Sequence, residues 1–176
     1  HPTNGSLILM ATRTENTITI NQPVGKVHQA LTTEAYWAYI AENLSPEAGE
    51  VNEFTAADGG ATATLFEVLP LEVLPEAVRA MISQALKVKR VLTVPALTNN
   101  ATTVEYNADV KGTPVDFKGT IAINGDDAAT TFDYSNEVSV NIPFMGPAIE
   151  PKVADALGEL FANEGALTEK WISENL

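Results

Sequence analysis

The sequence predicts an α+β fold, and three observations carry that prediction. Segments of strict apolar/polar alternation follow one another through the middle of the chain, separated by short turns. Short helical segments fall after the first strand and after the third. One long amphipathic stretch follows all of the strands. Alternation means a sheet with one wet and one buried face, and short turns mean antiparallel neighbours. The dry face must be covered. The last stretch is long enough to do it, at about 25–28 residues or about 40 Å at 1.5 Å per residue.

TITI (Thr17–Ile20) alternates and reads as the first strand. In NQPVGKVHQALT, Pro23 suits a first helical turn, and Val24, Val27 and Leu31 share one helical face. A second short helix over Thr33–Asn43 starts at a Thr-Thr-Glu cap signal and carries Tyr36, Trp37 and Ile40. SPEAG ends it. GEVNEFTAADGGATATLFEVLP reads as a hairpin turning at Asp58-Gly59-Gly60, because glycine tolerates the positive φ of tight hairpins. Leu74, Val78, Met81, Ile82, Ala85 and Leu86 recur at helical spacing, which predicts an amphipathic helix over Pro75–Leu86.

Four strand segments come next: Val88–Pro95, Thr102–Val110, Val115–Ile123 and Thr130–Ile142. Their turns are Thr98-Asn99-Asn100, Lys111-Gly112 and Asn124-Gly125-Asp126-Asp127. The last of these lacks the spaced ligands and distal Glu of an EF-hand loop, so a hairpin turn explains it better than calcium.

Composition narrows the function. The chain has 176 residues and formal net charge −13, with no cysteine. Disulfides, cysteine nucleophiles and thiolate metal sites are excluded. Phosphate backbones and anionic membrane surfaces repel such a chain, and there is no Gly-rich phosphate loop, so nucleic acid is not an expected partner. KVKR (Lys87–Arg90) is the single basic run and reads as a solvated strand edge. No stretch approaches the roughly 20 apolar residues that span a bilayer, and SLILM (Ser6–Met10) is too short for a signal-peptide core. Residues 1–10 read as an upstream or disordered tail and 11–176 as a single domain, cytoplasmic by default. His28 and His1 are too far apart in sequence to suggest a metal cluster or a triad. No metal and no cofactor is expected.

Two segments carry a family resemblance. One is ITINQPVGKVHQALTTEAYW, a strand followed by a Pro-Val start to a helix pair. The other is VSVNIPFMGPAIEPKVADALGELFANEGALTEKW, a strand ending in an Ile142-Pro143-Phe144-Met145-Gly146 corner before a long helix with a late Trp. Together they resemble the START-like (SRPBCC) superfamily of polyketide-cyclase and pollen-allergen type. The second segment resembles an uncharacterised branch described as a domain of unknown function. The resemblance runs from Thr17 to Leu176. It implies a helix-grip fold: a curved antiparallel sheet of six to seven strands wrapped around a long C-terminal helix, with two short helices after the first strand. It also implies a hydrophobic cavity between sheet and helix, which many relatives keep for a lipid, sterol or polyketide. It brings no catalytic signature.

On the terminal helix, Ile149, Val153, Ala156, Leu157, Leu160, Phe161, Leu167, Thr168, Trp171 and Ile172 fall within an arc of about 160°. Glu164 lies near the centre of that arc. A lone buried carboxylate is costly unless paired. Either Glu164 faces a cavity as a polar anchor, or it escapes to water or pairs with a neighbouring strand. Arg90 shares parity with Val88, Leu92 and Val94 and would make a charge-assisted partner; the other reading is a frayed strand start with Arg90 in solvent. Asn136 interrupts the series Tyr134, Val138 and either contacts a ligand or is turned outward by a bulge. Tyr36, Trp37 and Tyr39 read as core packing, with a gate to the cavity as the other reading. The Pro75–Leu86 helix is a candidate lid.

The expected function is binding of a small hydrophobic molecule without transforming it. The expected lining is Leu157, Leu160, Phe161, Glu164, Tyr106, Phe117, Phe132, Tyr134 and Arg90. Two alternatives stand beside it. One is a cyclase or dehydratase using Glu164 as acid–base with Tyr106 or Tyr134 as partner. The other is a protein-interaction module whose sheet is collapsed on the helix.

Overall fold

The computed structural model describes residues 11–69, 76–80, 86–112, 115–141 and 146–176. In chain order the elements are β1 (Thr12–Ile20), α1 (Val24–Leu31), α2 (Glu34–Asn43), β2 (Glu50–Ala57), β3 (Gly60–Leu69), α3 (Glu76–Arg79), β4 (Leu86–Val94), β5 (Ala101–Lys111), β6 (Val115–Gly125), β7 (Thr130–Val140) and α4 (Gly146–Asn175). The strands form one seven-stranded sheet in the order β1-β7-β6-β5-β4-β3-β2. Every neighbouring pair is antiparallel. The curved sheet and the long C-terminal helix make this a helix-grip fold of α+β class.

Side-chain alternation sorts the two faces. In β5, Val104, Tyr106, Ala108 and Val110 are buried, while Thr103, Glu105, Asn107 and Asp109 are exposed. The buried series of β3 to β7 forms a dry floor. The 30-residue helix α4 covers it, packing chiefly on β1 and β7 and against α1 and α2. Its Ile149, Val153, Leu157, Phe161, Trp171 and Ile172 are buried, each large side chain contributing roughly 1.5–3 kcal/mol. Gly165 lets the helix approach closely: a Cβ there would stand 2.9 Å from Ile18 Cγ2.

The turns follow their residues. Asp58 and Gly59 both have positive φ (54° and 78°), the requirement of a two-residue hairpin whose twist matches its strands. Asn99 and Asn100 do the same at 53° and 61°. Asp126 Oδ1 accepts the backbone N–H groups of Ala128 and Ala129 at 2.8 and 2.9 Å. Those bonds hold its carboxyl below the usual range, and the acidic loop is a turn.

Several expectations need correction. β1 begins at Thr12 rather than Thr17, because the inward positions of its first half are the polar Thr14 and Asn16, which hide the alternation. Leu86 opens β4 instead of ending a helix, which puts Arg90 in mid-strand and rules out a frayed start. Of the expected Pro75–Leu86 helix, α3 is the described helical part; Pro75 and residues 81–85, like the Ile142–Met145 corner and residues 1–10, lie outside the described residues. Asn136 is not on a bulge, since β7 runs in unbroken register with both neighbours. The N-cap of α2 is Thr33, but its hydroxyl donates to Gln29 O at 2.6 Å and makes no cap hydrogen bond. Tyr36 and Trp37 are core residues: their rings meet edge-on at 4.8 Å, Tyr36 meets Trp171 at 5.5 Å, and the Trp37 indole N–H donates to Leu31 O at 2.9 Å.

Candidate functional site

The carboxylate on the apolar face of α4 does not reach water. Glu164 is buried and its two oxygens accept from Arg90 Nη1 and Nη2 at 2.8 and 2.9 Å. Arg90 projects inward from β4 because it shares parity with Val88 and Leu92. On its other edge it meets Glu67 of β3: Nη2 donates to Oε2 at 3.0 Å. Nε lies 2.9 Å from Oε1, an ion-pair distance, although its N–H is not aimed for a hydrogen bond. One guanidinium therefore serves two carboxylates in a dry interior. Burial pushes the Glu67 carboxyl above its usual range; the Arg90 charge opposes that rise and Glu164 adds to it. Burial would lower the Arg90 pKa, but the two carboxylates outweigh burial and raise it.

Three tyrosines surround this cluster. Burial raises the pKa of Tyr36, Tyr106 and Tyr134 above the ordinary value, and the Glu164 charge adds to the rise in each. They stay neutral hydroxyls at any physiological pH. Tyr36 Oη is 2.6 Å from Thr168 Oγ1. Tyr106 crosses β6 to donate to Asn136 Oδ1, passing over Gly119, where a Cβ would stand 3.0 Å from the hydroxyl oxygen. Asn136 Nδ2 in turn donates to Asn16 Oδ1 at 2.8 Å. Asn136 is thus a buried cross-strand link. Tyr134 stacks on Phe161 of α4, ring centroids 4.2 Å apart and planes 13° off parallel.

Between α4 and the sheet these groups border a gap of about 20 Å³. That holds about one water molecule. Among the described residues, no roomy cavity of the kind expected from the resemblance lies between α4 and the sheet. Phe161 borders the gap, stacked on Tyr134 and edge-on to Tyr106 at 6.1 Å, and the Arg90–Glu164 pair closes the polar side.

Of the expected lining, Phe161, Glu164, Tyr106, Phe132, Tyr134 and Arg90 border the gap. Leu157, Leu160 and Phe117 do not. Leu157 is buried elsewhere along α4, Leu160 is half-buried against the core, and Phe117 packs behind Tyr106 with centroids 6.2 Å apart. Tyr36, Thr168 and Glu67 were missed. Glu67 was readable by parity, two residues beyond Leu65 on the inward series of β3. Tyr36 was read as core, and nothing in the sequence pointed to its partner 132 residues away. His28 is a surface contact, its Nε2 lying 2.8 Å from Pro95 O. Among the described residues no three His, Asp or Glu side chains converge to hold a metal ion.

A curved antiparallel sheet closed on a long C-terminal helix is the fold that this chain shares with a START superfamily protein of known structure. The chain belongs to the family described as "Protein of unknown function (DUF2505)", whose model matches residues 15–172. No curated protein matches the sequence. Among solved structures it is similar to the Zhui aromatase/cyclase from Streptomyces sp. R1128, at 12% identity and TM-score 0.60 over 94% of this chain and 95% of that one. It is similar to norcoclaurine synthase from Thalictrum flavum, at 13% identity and TM-score 0.58 over 99% and 94%. A START superfamily protein from Mycobacterium smegmatis matches at 11% identity and TM-score 0.54 over 93% and 99%. Among the described residues no helix is long and apolar enough to cross a membrane.

Proposed function

We propose that this protein binds a small, mainly apolar molecule carrying a polar group, in the gap between α4 and the sheet, and does not transform it. The observation that carries this reading is the convergence of Arg90, Glu164, Tyr134 and the Tyr36–Thr168 pair on one interior gap otherwise walled by Leu92, Val104, Ile121, Ile123 and Phe132. Apolar walls with a few convergent polar groups are the usual make-up of a ligand site. The gap widens to admit the ligand as α4 and Phe161 shift, and the ligand selects that open form. Catalysis is disfavoured because both Glu164 oxygens are held by Arg90 and the tyrosines are far from ionising, which leaves no available base among the described groups. Two similar structures, an aromatase/cyclase and a norcoclaurine synthase, are named as enzymes and keep the cyclase alternative in the test. A cytoplasmic address belongs to this reading, and at net charge −13 a neutral small molecule is a better partner than nucleic acid.

A second reading, a solid-cored interaction module, is favoured by the gap's volume of about 20 Å³. Native mass spectrometry of protein purified from its own host separates the two. A ligand adduct that organic extraction removes, and that Glu164→Gln depletes, supports binding. A bare chain mass in the wild type supports the solid core. If Glu164→Gln keeps the adduct while abolishing conversion of the identified molecule, the protein is an enzyme.

A further inference from the structure

The hydroxyl hydrogens around the gap can be assigned one by one. Thr168 Oγ1 donates to the Glu164 backbone carbonyl at 2.8 Å, so the hydrogen in the Tyr36–Thr168 contact comes from Tyr36. The Tyr106 hydrogen goes to Asn136. Tyr134 is different. It is 4% exposed and borders the gap, yet its hydroxyl has no hydrogen-bond partner among the described residues. Its ring stacks on Phe161. The hydroxyl faces the gap, where an incoming acceptor can take its hydrogen.

Arg90 supplies a second donor. Nη1 carries two hydrogens and one is spent on Glu164 Oε1. Charge decides which acceptor fits. Glu67 and Glu164 already share one guanidinium, so a ligand carboxylate would place a third anion against one cation in a low-dielectric interior. A neutral oxygen brings no such conflict.

We propose that Tyr134 Oη and the unspent Nη1 hydrogen of Arg90 form a subsite for a neutral oxygen acceptor, a carbonyl or hydroxyl on an otherwise apolar ring system. This rests on the binding reading above and names the ligand class. The gap has room for about one water, and the ligand's oxygen takes that place while its rings displace Phe161.

Three matched probes test it by calorimetric titration: 2-acetylnaphthalene, 2-ethylnaphthalene and 2-naphthoate. The wild type should bind the ketone about tenfold more tightly than the other two, the worth of one good buried hydrogen bond. Tyr134→Phe should narrow the ketone's preference over 2-ethylnaphthalene to what the Arg90 donor alone supplies, and leave 2-ethylnaphthalene unchanged. Its thermal midpoint should stay at the wild-type value, since the hydroxyl removed satisfied no protein group. The subsite is overturned if 2-ethylnaphthalene or 2-naphthoate binds as tightly as the ketone. It is overturned equally if Tyr134→Phe weakens the ketone and 2-ethylnaphthalene alike, or leaves the ketone preference intact. If none of the three binds, the binding reading itself falls and the subsite with it.

Discussion

Arg90 of β4 and Glu164 of α4 meet through two nitrogen–oxygen contacts of 2.8 and 2.9 Å in the buried interior. The helix is thereby joined to the sheet by charge as well as by apolar packing. Removing one partner of such a pair leaves the other charged and uncompensated, at a cost of about 3–5 kcal/mol. Arg90→Met should therefore lower the urea-unfolding free energy by about that amount. Replacing Glu67, Arg90 and Glu164 together with Gln, Met and Met should recover most of the loss. A triple variant no more stable than Arg90→Met would show that these contacts do not set the cost.

Glu67 should give a pH signature. Burial raises its folded pKa above the ordinary value of 4.5, so the folded chain holds this proton more tightly than the unfolded one. The sign follows: the destabilisation is absent below the unfolded pKa, grows as pH climbs toward the folded pKa, and is complete above it. The stability of Glu67→Gln relative to wild type should rise as pH climbs above the ordinary Glu value of 4.5, measured by urea unfolding at several pH values. A flat difference above that value would refute the assignment.

Tyr106 and Tyr134 are both buried, but among the described residues only Tyr106 has a partner for its hydroxyl. Tyr106→Phe strands Asn136 Oδ1 and should cost roughly 1–3 kcal/mol in denaturant unfolding.

Phe161 is buried at the border of the gap, and Phe161→Ala should cost about 3–5 kcal/mol. The same variant should bind benzene-sized apolar molecules that the wild type excludes, because an apolar void of that size stays dry. Xenon or benzene titration followed by NMR reads it.

Two helix glycines should behave oppositely. At Gly25 in α1 a Cβ meets nothing within 4 Å, so Gly25→Ala should raise stability by about 0.5–1 kcal/mol. At Gly165 the added atom meets Ile18 Cγ2 at 2.9 Å, and Gly165→Val should lower the thermal midpoint through overpacking of about 1–3 kcal/mol.

Much of this architecture was legible because period carries face. The parity of Val88, Arg90 and Leu92 pointed Arg90 inward, and the 100° rotation per helical residue put Glu164 on the buried arc, so the pair that joins α4 to β4 could be anticipated from two independent patterns. β1 was half hidden because its inward residues Thr14 and Asn16 are polar, serving Asn136 where alternation looks for apolar side chains. The size of the gap was not legible at all. It depends on one ring, Phe161, lying flat on Tyr134, and periodicity carries no information on side-chain rotamers.

The first and last strands lie side by side, with Thr12 opposite Val138 and Ile20 opposite Thr130. Joining them closes a loop of more than a hundred residues, and α4 can settle only afterwards, since β1 and β7 are the strands it rests on most heavily. Such non-local pairing defers its reward until late, and proteins built this way reach the native state on the order of milliseconds to seconds. Until then the greasy side of the half-made sheet is bare, which makes that interval the one in which the chain is most prone to clump with its own copies.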